Sequence, residues 1–263
     1  MSLVFAAIVP HTPLLIPSIG KDDFQYLKKT MNAYTYLEEE LYVANPKTII
    51  IITPRQKILD DSFSINLFPK YKSNFIKFGD FATKKEYKND INLTHHIKEE
   101  LEGKTNINLF SEEELDYGSS VPLYHLIDHL KEPFIIPIGL SNLDNTCHFN
   151  FGKQLKNIIL NSNKRIAIIA SAELSHGLSK TSQNSYSLKG EIFDQKIITG
   201  LKEKNEKNLL RIDKKLEEEA QECGLNSILI LLGILNKINY APEILSYEFP
   251  FGVGYLTTNF KLK

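Results

Sequence analysis

Three continuous apolar runs, each bounded by turn-forming residues, dominate the hydrophobic pattern of the chain. They occupy residues 3–10, 48–54 and 165–171. Runs of this kind are typical of strands that are buried on both faces of a sheet. We therefore expect these three segments to be inner strands of a mostly parallel sheet.

Segments with helical spacing and charged outer faces lie between and after these runs. The pattern predicts helices near residues 22–44, 93–102, 121–131 and 149–161, and an almost wholly helical region at residues 187–237. This alternation of strand and helix is typical of an α/β fold.

Weaker strand signals extend the predicted sheet. Residues 134–139 form a short apolar run, whereas residues 62–68 and 257–262 alternate between apolar and polar positions, as edge strands do. Residues 240–255 turn the chain back toward that last strand. Because no linker or repeat interrupts the pattern, we expect one domain spanning residues 1–263, with a three-layer αβα fold around a mostly parallel or mixed sheet.

The composition is that of an ordinary globular protein and excludes intrinsic disorder. Of 263 residues, 42% are hydrophobic, and 31 basic residues oppose 32 acidic ones, for a formal net charge of −1. A balance so close to zero gives no overall field that attracts a polyanion. We therefore expect neither nucleic acid nor a membrane as partner.

Cysteine usage and the N-terminus indicate a cytoplasmic protein. Cys147 and Cys223 are too few for a disulfide framework, and no cysteine or histidine pair has the spacing of a zinc site. The apolar run at residues 3–10 has no basic residue ahead of it and is too short to span a membrane.

Polar side chains follow each of the three main strands. His11 follows the first, Arg55 the second, and Glu173 and His176 the third. The carboxyl ends of parallel strands meet at one edge of a sheet, where α/β proteins bind ligands. The sequence therefore predicts that these side chains share a site.

Each of these residues also has an ordinary structural explanation. His11 stands between two prolines and suits a turn, while Arg55 suits a surface cation. Ser171 suits a helix N-cap, with Glu173 in the first turn of that helix. Their coincidence at the ends of strands favours the common site.

Two further segments carry candidate chemistry. Glu222 and Cys223 stand directly before a glycine, at the start of a predicted helix that is almost entirely apolar. The structural alternative is a carboxylate at a helix N-terminus beside a buried thiol. Residues 116–123 form a glycine-containing turn that leads into a helix, and their structural alternative is a loop and cap. The remaining histidines suit surface or packing positions.

Six motifs occur in order along almost the whole chain. They are Pro-His-Thr-Pro-Leu-Leu from residue 10, Ile-Ile-Thr-Pro from 51, Leu-Asp-Tyr-Gly from 115 with Val-Pro-Leu from 121, Ala-Glu-Leu-Ser-His from 172, Glu-Cys-Gly from 222, and Leu-Ser-Tyr-Glu-Phe-Pro-Phe-Gly-Val-Gly-Tyr from 245. With this set the chain resembles the superfamily of class III extradiol ring-cleavage dioxygenases, and within it the Memo-like branch.

The resemblance implies a non-haem Fe(II) site for a catechol-type substrate and O2. Two histidines and a glutamate hold the iron in that superfamily, so the resemblance implies His11 and Glu222 as metal ligands. It implies His176 as catalytic acid/base, with Glu173 as a second catalytic residue in the pocket and Cys223 as a substrate-binding residue there. Members of that superfamily often form homo-oligomers or pair with another chain, so the resemblance implies a homo-oligomer as one possible assembly.

Three positions depart from the superfamily pattern. Arg55 stands where the second histidine ligand is expected, Tyr117 replaces a histidine, and Glu173 replaces an aspartate. A guanidinium has no lone pair for a metal, and its charge near the site opposes metal binding. We expect Arg55 to form an ion pair with Glu222 in place of iron.

Three functions are then open. The first is an Fe(II)-dependent extradiol dioxygenase in which Cys223 or Glu173 supplies the missing ligand. The second is a metal-free pocket for a small aromatic or anionic ligand, in which Arg55 binds a carboxylate or phosphate and His11, Tyr117 and His176 supply hydrogen bonds. Such a protein serves as a sensor, a scaffold or a non-catalytic partner subunit. The third is metal-free acid/base or nucleophilic chemistry, in which His176 activates Cys223.

Overall fold

The computed structural model describes residues 2–179 and 186–263, which form a central sheet flanked by helices. In this part of the chain the strands are β1 (Leu3–Val9), β2 (Thr48–Thr53), β3 (Phe63–Asn66), β4 (Lys70–Phe75), β5 (Asp80–Lys88), β6 (Ile107–Phe110), β7 (Phe134–Gly139), β8 (Ile166–Ser171), β9 (Tyr240–Glu248) and β10 (Tyr255–Leu262). The three main apolar runs and the three weaker signals correspond to strands, as predicted.

The main sheet is mixed and has a parallel centre. Its eight strands lie in the order β6-β3-β7-β2-β8-β1-β10-β9. The four central strands, β7, β2, β8 and β1, pair in parallel, whereas β3 pairs antiparallel with β7 and β10 antiparallel with β1. The carboxyl ends of β1, β2 and β8 therefore lie side by side at one edge, as the sequence predicts.

Helices cover both faces of the sheet. They are α1 (Pro17–Gly20), α2 (Lys28–Ala44), α3 (Ile91–Leu101), α4 (Tyr117–Leu126), α5 (Asn145–Asn161), α6 (Leu188–Lys202), α7 (Glu206–Leu210), α8 (Lys214–Ala220) and α9 (Leu225–Leu235). Short 3₁₀ helices occupy Pro13–Leu15, Lys21–Leu27 and Ile76–Phe78. Among the described residues, none of these helices has the length and apolar character needed to cross a membrane.

Alternate side chains of the buried strands enter two hydrophobic cores. In β1, Ala6 and Ile8 join a core shared with α3, α5 and α9, whereas Phe5, Ala7 and Val9 join a core shared with α2 and α4. Side chains of a strand point alternately to opposite faces, so one apolar run serves both layers. The predicted three-layer αβα architecture is confirmed.

The sequence pattern predicts no element in residues 70–88, where the structure has two strands. Here β4 and β5 form a two-stranded sheet that is separate from the main one. The segment is rich in lysine, and only alternate side chains such as Tyr71 and Phe75 are buried. A strand pair that covers the core with one face leaves no continuous apolar run, which explains why the sequence did not reveal it.

Hydrogen bonds from the side chains of Tyr34 and His125 hold the loop after β1 at both ends. The Tyr34 hydroxyl donates a hydrogen bond to the carbonyl oxygen of Pro10. The His125 ring lies against Tyr34, and its Nε2 is 3.1 Å from the carbonyl oxygen of Leu15, which makes this nitrogen the donor. These contacts bracket His11, which the loop carries.

Replacement of His125 by glutamine should flatten the pH dependence of stability. Burial lowers the pKa of His125 to about 4. As the pH falls, His125 is protonated in the unfolded chain before it is protonated in the folded protein. The contribution of the neutral ring to the free energy of unfolding is therefore complete above pH 6.5 and is lost as the pH falls toward 4. Urea unfolding at pH 7 and pH 4.5 should show a smaller loss in His125→Gln than in the wild type, by about 2 kcal/mol.

The control for this experiment is the exposed His95 of α3. His95→Gln should lose as much stability as the wild type between the two pH values. An equal loss in His125→Gln and the wild type would contradict the assignment of the neutral ring to His125.

Candidate functional site

Side chains from several elements meet at the carboxyl edge of the sheet. His11 lies two residues beyond β1, and Arg55 lies two residues beyond β2. Glu173 and His176 lie in the segment that follows β8, and Cys223 lies between α8 and α9. Side-chain contacts join all five residues into one group, which we call the strand-end cluster.

Hydrogen bonds fix the proton on the His11 ring. The Ser171 hydroxyl, at the end of β8, donates its single hydrogen to the carbonyl oxygen of Gly118 at 2.6 Å. Ser171 Oγ therefore accepts from His11 Nδ1–H at 2.9 Å, and the lone pair of the ring is left on Nε2. Arg55 Nε–H donates to that lone pair at 3.1 Å.

The protonation of His11 is subject to opposing influences. Burial lowers the pKa of His11, whereas Glu173 and Cys223 raise it more, and the net shift is upward. A protonated ring would set its Nε2–H against the Nε–H of Arg55. The observed contact therefore belongs to the neutral, Nδ1-protonated ring.

The guanidinium of Arg55 also contacts the other members of the strand-end cluster. Its Nη2 is 3.4 Å from Cys223 Sγ and 3.9 Å from Glu173 Oε2. Its central carbon lies 5.3 Å from the ring centroid of Tyr117, as in a cation–π contact. The Arg55 side chain nevertheless keeps 30% of its surface exposed.

The backbone of Arg55 is fixed by two polar side chains that the sequence did not single out for this role. Thr53, the last residue of β2, accepts a hydrogen bond from the Arg55 amide at 3.2 Å. The Thr53 hydroxyl donates to Asp116 Oδ1 at 2.6 Å, and Asp116 also caps α4 by accepting from the Ser119 amide at 3.0 Å. The start of α4 therefore fixes the strand end that carries Arg55.

Glu173 and His176 form an ion pair within the strand-end cluster. His176 Nε2 is 3.3 Å from Glu173 Oε2, which is 3.7 Å from His11 Nε2. Burial would raise the pKa of Glu173, but His11, His176 and Arg55 lower it to about 2. Burial likewise opposes protonation of His176, but Cys223 and Glu173 raise its pKa to about 10. The pair is therefore charged at neutral pH.

The Cys223 thiol lies beside two cations, Arg55 and His176, and beside the ring of His11. Its Sγ is 3.8 Å from His11 Nε2, in addition to its contact with Arg55. Burial raises the pKa of Cys223, but His11 and His176 offset this effect and lower it to about 6. A thiolate at neutral pH is the expected state of a cysteine in such surroundings.

The carboxyl group of Glu222 makes its hydrogen bonds at the start of α9, and its role as a metal ligand stays a prediction. Its Oε2 accepts hydrogen bonds from the amides of Gly224 at 2.6 Å and Leu225 at 2.7 Å, at the start of α9. These amides have no partner inside the helix, so a carboxylate there is a helix cap. The expected Arg55–Glu222 ion pair is therefore corrected, since the carboxylate within ion-pair distance of Arg55 is that of Glu173.

The interpretation of Ser171 as a helix N-cap is wrong. Ser171 does not cap a helix, since residues 172–179 are not helical, and it is instead the buried last residue of β8. The ring of Tyr117 lies 5.9 Å from that of His11, in an edge-to-face arrangement. The functional roles assigned to these residues stay predictions.

The arrangement does not fit Fe(II). Donor atoms of His11, Glu173 and Cys223 lie within 4.8 Å of one another and would otherwise suit a metal. The Arg55 guanidinium, however, contacts all three and uses the Nε2 lone pair of His11. The carboxylate of Glu222 is committed to its helix. A fixed cation thus occupies the place that iron requires.

Alkylation of Cys223 should begin at unusually low pH. In a Cys147→Ser background, the iodoacetamide reaction rate should reach half its maximum near pH 6, because Cys223 is a thiolate there. The complementary Cys223→Ser variant is the control, since burial and Asp144 raise the pKa of Cys147. An apparent pKa near 9 for Cys223 would contradict the described surroundings.

Comparison with known proteins matches the chain to a functional family and to solved structures of similar fold. Residues 5–258 match the family described as the catalytic LigB subunit of aromatic ring-opening dioxygenase. The crystal structure of uncharacterized protein JW3007 from Escherichia coli K12 superposes with a TM-score of 0.70 at 14% identity, covering 97% of this chain and 99% of that one. At this identity the likeness concerns the fold alone.

A curated relative shares more sequence but is longer. Protein CA_C1420 of Clostridium acetobutylicum is 30% identical over 269 residues, which cover 97% of this chain and 57% of the relative. The present chain thus spans little more than half the length of that relative. The match over residues 5–258 shows that the chain belongs to the family of the catalytic LigB subunit of aromatic ring-opening dioxygenases.

Proposed function

We propose that this protein is a Memo-like member of the family that binds a small anionic ligand without iron and without dioxygenase activity. One observation carries the proposal: Arg55 Nε–H engages the His11 lone pair that would bind a metal. Membership of a fold family does not transfer an activity whose site has changed.

The charges of the strand-end cluster support an anion as ligand. A guanidinium has five N–H donors, of which Nε and Nη2 face His11 and Cys223. The exposed part of Arg55 lines a cavity of about 380 Å³ together with Lys57 and Lys77. Glu112 and Glu114 also line it, so the negative charge of a ligand is best placed at Arg55.

Aromatic groups in the same cavity favour a ligand with a flat apolar part. Phe78 and Tyr117 both line the cavity, and their ring centroids are 5.2 Å apart in an edge-to-face arrangement. Such rings stack on or pack against an aromatic ligand. A small aromatic carboxylate therefore combines the two features.

Benzoate should bind to the wild-type protein through Arg55. In isothermal titration calorimetry, Arg55→Gln should weaken benzoate binding about tenfold, or about 1.4 kcal/mol, because a charge-assisted bidentate contact is lost. Arg211→Gln, at an exposed arginine outside this cavity, is the matched control and should bind as the wild type does. Equal affinities in all three proteins would contradict the proposal.

The alternative function is a retained metal-dependent ring-opening oxygenase. It is favoured by the convergence of His11, Glu173 and Cys223 donor atoms, but it requires the guanidinium of Arg55 to leave. Metal retention distinguishes the two functions.

After anaerobic incubation with Fe(II) and desalting, the wild type should keep less than about one-tenth of an equivalent, because a cation blocks the donors. Arg55→His should keep several times more, since it replaces the cation with an imidazole lone pair. A stoichiometric amount of iron on the wild type would favour the oxygenase and contradict the metal-free proposal.

A further inference from the structure

The C-terminal motif at residues 245–255 converges on a buried carboxylate that the proposed function does not use. The Tyr247 hydroxyl donates a hydrogen bond to Asp194 Oδ2 at 2.7 Å. A Cβ atom added at Gly254, just before β10, would lie 2.3 Å from that same oxygen, so glycine allows the backbone to approach the carboxylate this closely. Tyr247 and Gly254 of the motif therefore both lie against Oδ2 of Asp194.

The other oxygen of this carboxylate reaches the strand-end cluster. Asp194 Oδ1 accepts a hydrogen bond from the Ser175 amide at 2.9 Å. Ser175 lies between Glu173 and His176, the two members of the ion pair. Asp194, on α6, thus connects the C-terminal motif to the backbone that sets the positions of these two side chains.

The same short segment is also bonded to Gly254 through its backbone. The Gly254 amide donates to the Ser175 carbonyl oxygen at 2.8 Å, and the Leu174 amide donates to the Gly254 carbonyl oxygen at 2.8 Å. The His176 amide donates to the carbonyl oxygen of Ala220 at 3.0 Å. The Asp194 contact adds a side-chain bond to a segment that is otherwise held by its main chain.

The burial of Asp194 indicates that its two hydrogen bonds matter. The residue has 0% of its surface exposed. A carboxylate so deeply buried is costly unless both oxygens hold donors, and here each oxygen has one. The loss of either donor should therefore disturb the position of the carboxylate.

We propose that Asp194 is a positioning residue that sets the geometry of the Glu173–His176 pair, and that Tyr247 and Gly254 hold Asp194 for this purpose. The inference concerns the site of the proposed function and rests on it only where ligand affinity is the readout. It assigns a role to the C-terminal motif of the sequence.

The test compares Asp194→Ala with Asp90→Ala. Asp90 is also buried, and it accepts from Thr48 Oγ at 2.6 Å and from Lys164 Nζ at 2.7 Å at the opposite end of the sheet. Both variants should lose thermal stability, but only Asp194→Ala should shift the ¹⁵N signals of the His176 ring and weaken benzoate binding by about threefold or more.

Two further variants keep the test decisive. Asp194→Asn should restore most of the His176 signal positions, since its amide oxygen still accepts from Ser175 and its NH2 group donates to the Tyr247 oxygen. Tyr247→Phe, which removes one hydroxyl, should shift the His176 signals in the same direction as Asp194→Ala but by less. Tyr247→Phe therefore tests the positioning role even if Asp194→Ala does not fold.

Unchanged His176 signals in both Asp194→Ala and Tyr247→Phe would overturn the positioning role. Equal shifts in Asp90→Ala and Asp194→Ala would also overturn it, since they would indicate a general loss of packing. A wild type that binds no benzoate would end the proposed function, while the His176 signals would still decide the role of Asp194.

Discussion

The hydrogen bond from Arg55 Nε to His11 Nε2 governs the chemistry of this site. An imidazole nitrogen has one lone pair in the ring plane, and a lone pair that accepts from a guanidinium does not bind a metal. The bond depends on Ser171, which keeps the other ring nitrogen protonated. The charges of Arg55 and His176 together compensate for those of Glu173 and Cys223, so the buried site remains nearly balanced without an ion.

The fold supplies this arrangement through its parallel centre. Three neighbouring strands end at the same edge, so residues far apart in sequence arrive within a few ångströms of one another. Residues just behind the edge then fix the orientation of each group. Thr53 holds the backbone of Arg55, Ser171 holds the His11 ring, and Asp194 holds the segment between Glu173 and His176.

The sequence was sufficient for the strands that carry the site, because buried parallel strands leave continuous apolar runs. It also located His11 and Arg55, since each directly follows such a run. It did not distinguish Glu222 from Glu173 as the partner of Arg55, because that choice depends on which carboxylate is committed to the start of α9. The sequence did not indicate a role for Asp194, because its hydrogen-bond partners are distant in sequence and meet it only in the folded protein.

The central claim is that the lone pair of His11 is occupied by Arg55, and the tautomer of the His11 ring tests it most directly. Long-range ¹H–¹⁵N NMR at pH 8 should show a protonated Nδ1 and an unprotonated, hydrogen-bonded Nε2. The spectrum should not change when Zn²⁺ is added as a diamagnetic probe of metal binding. A ring protonated at Nε2, or a zinc-induced shift of the His11 signals, would contradict the account.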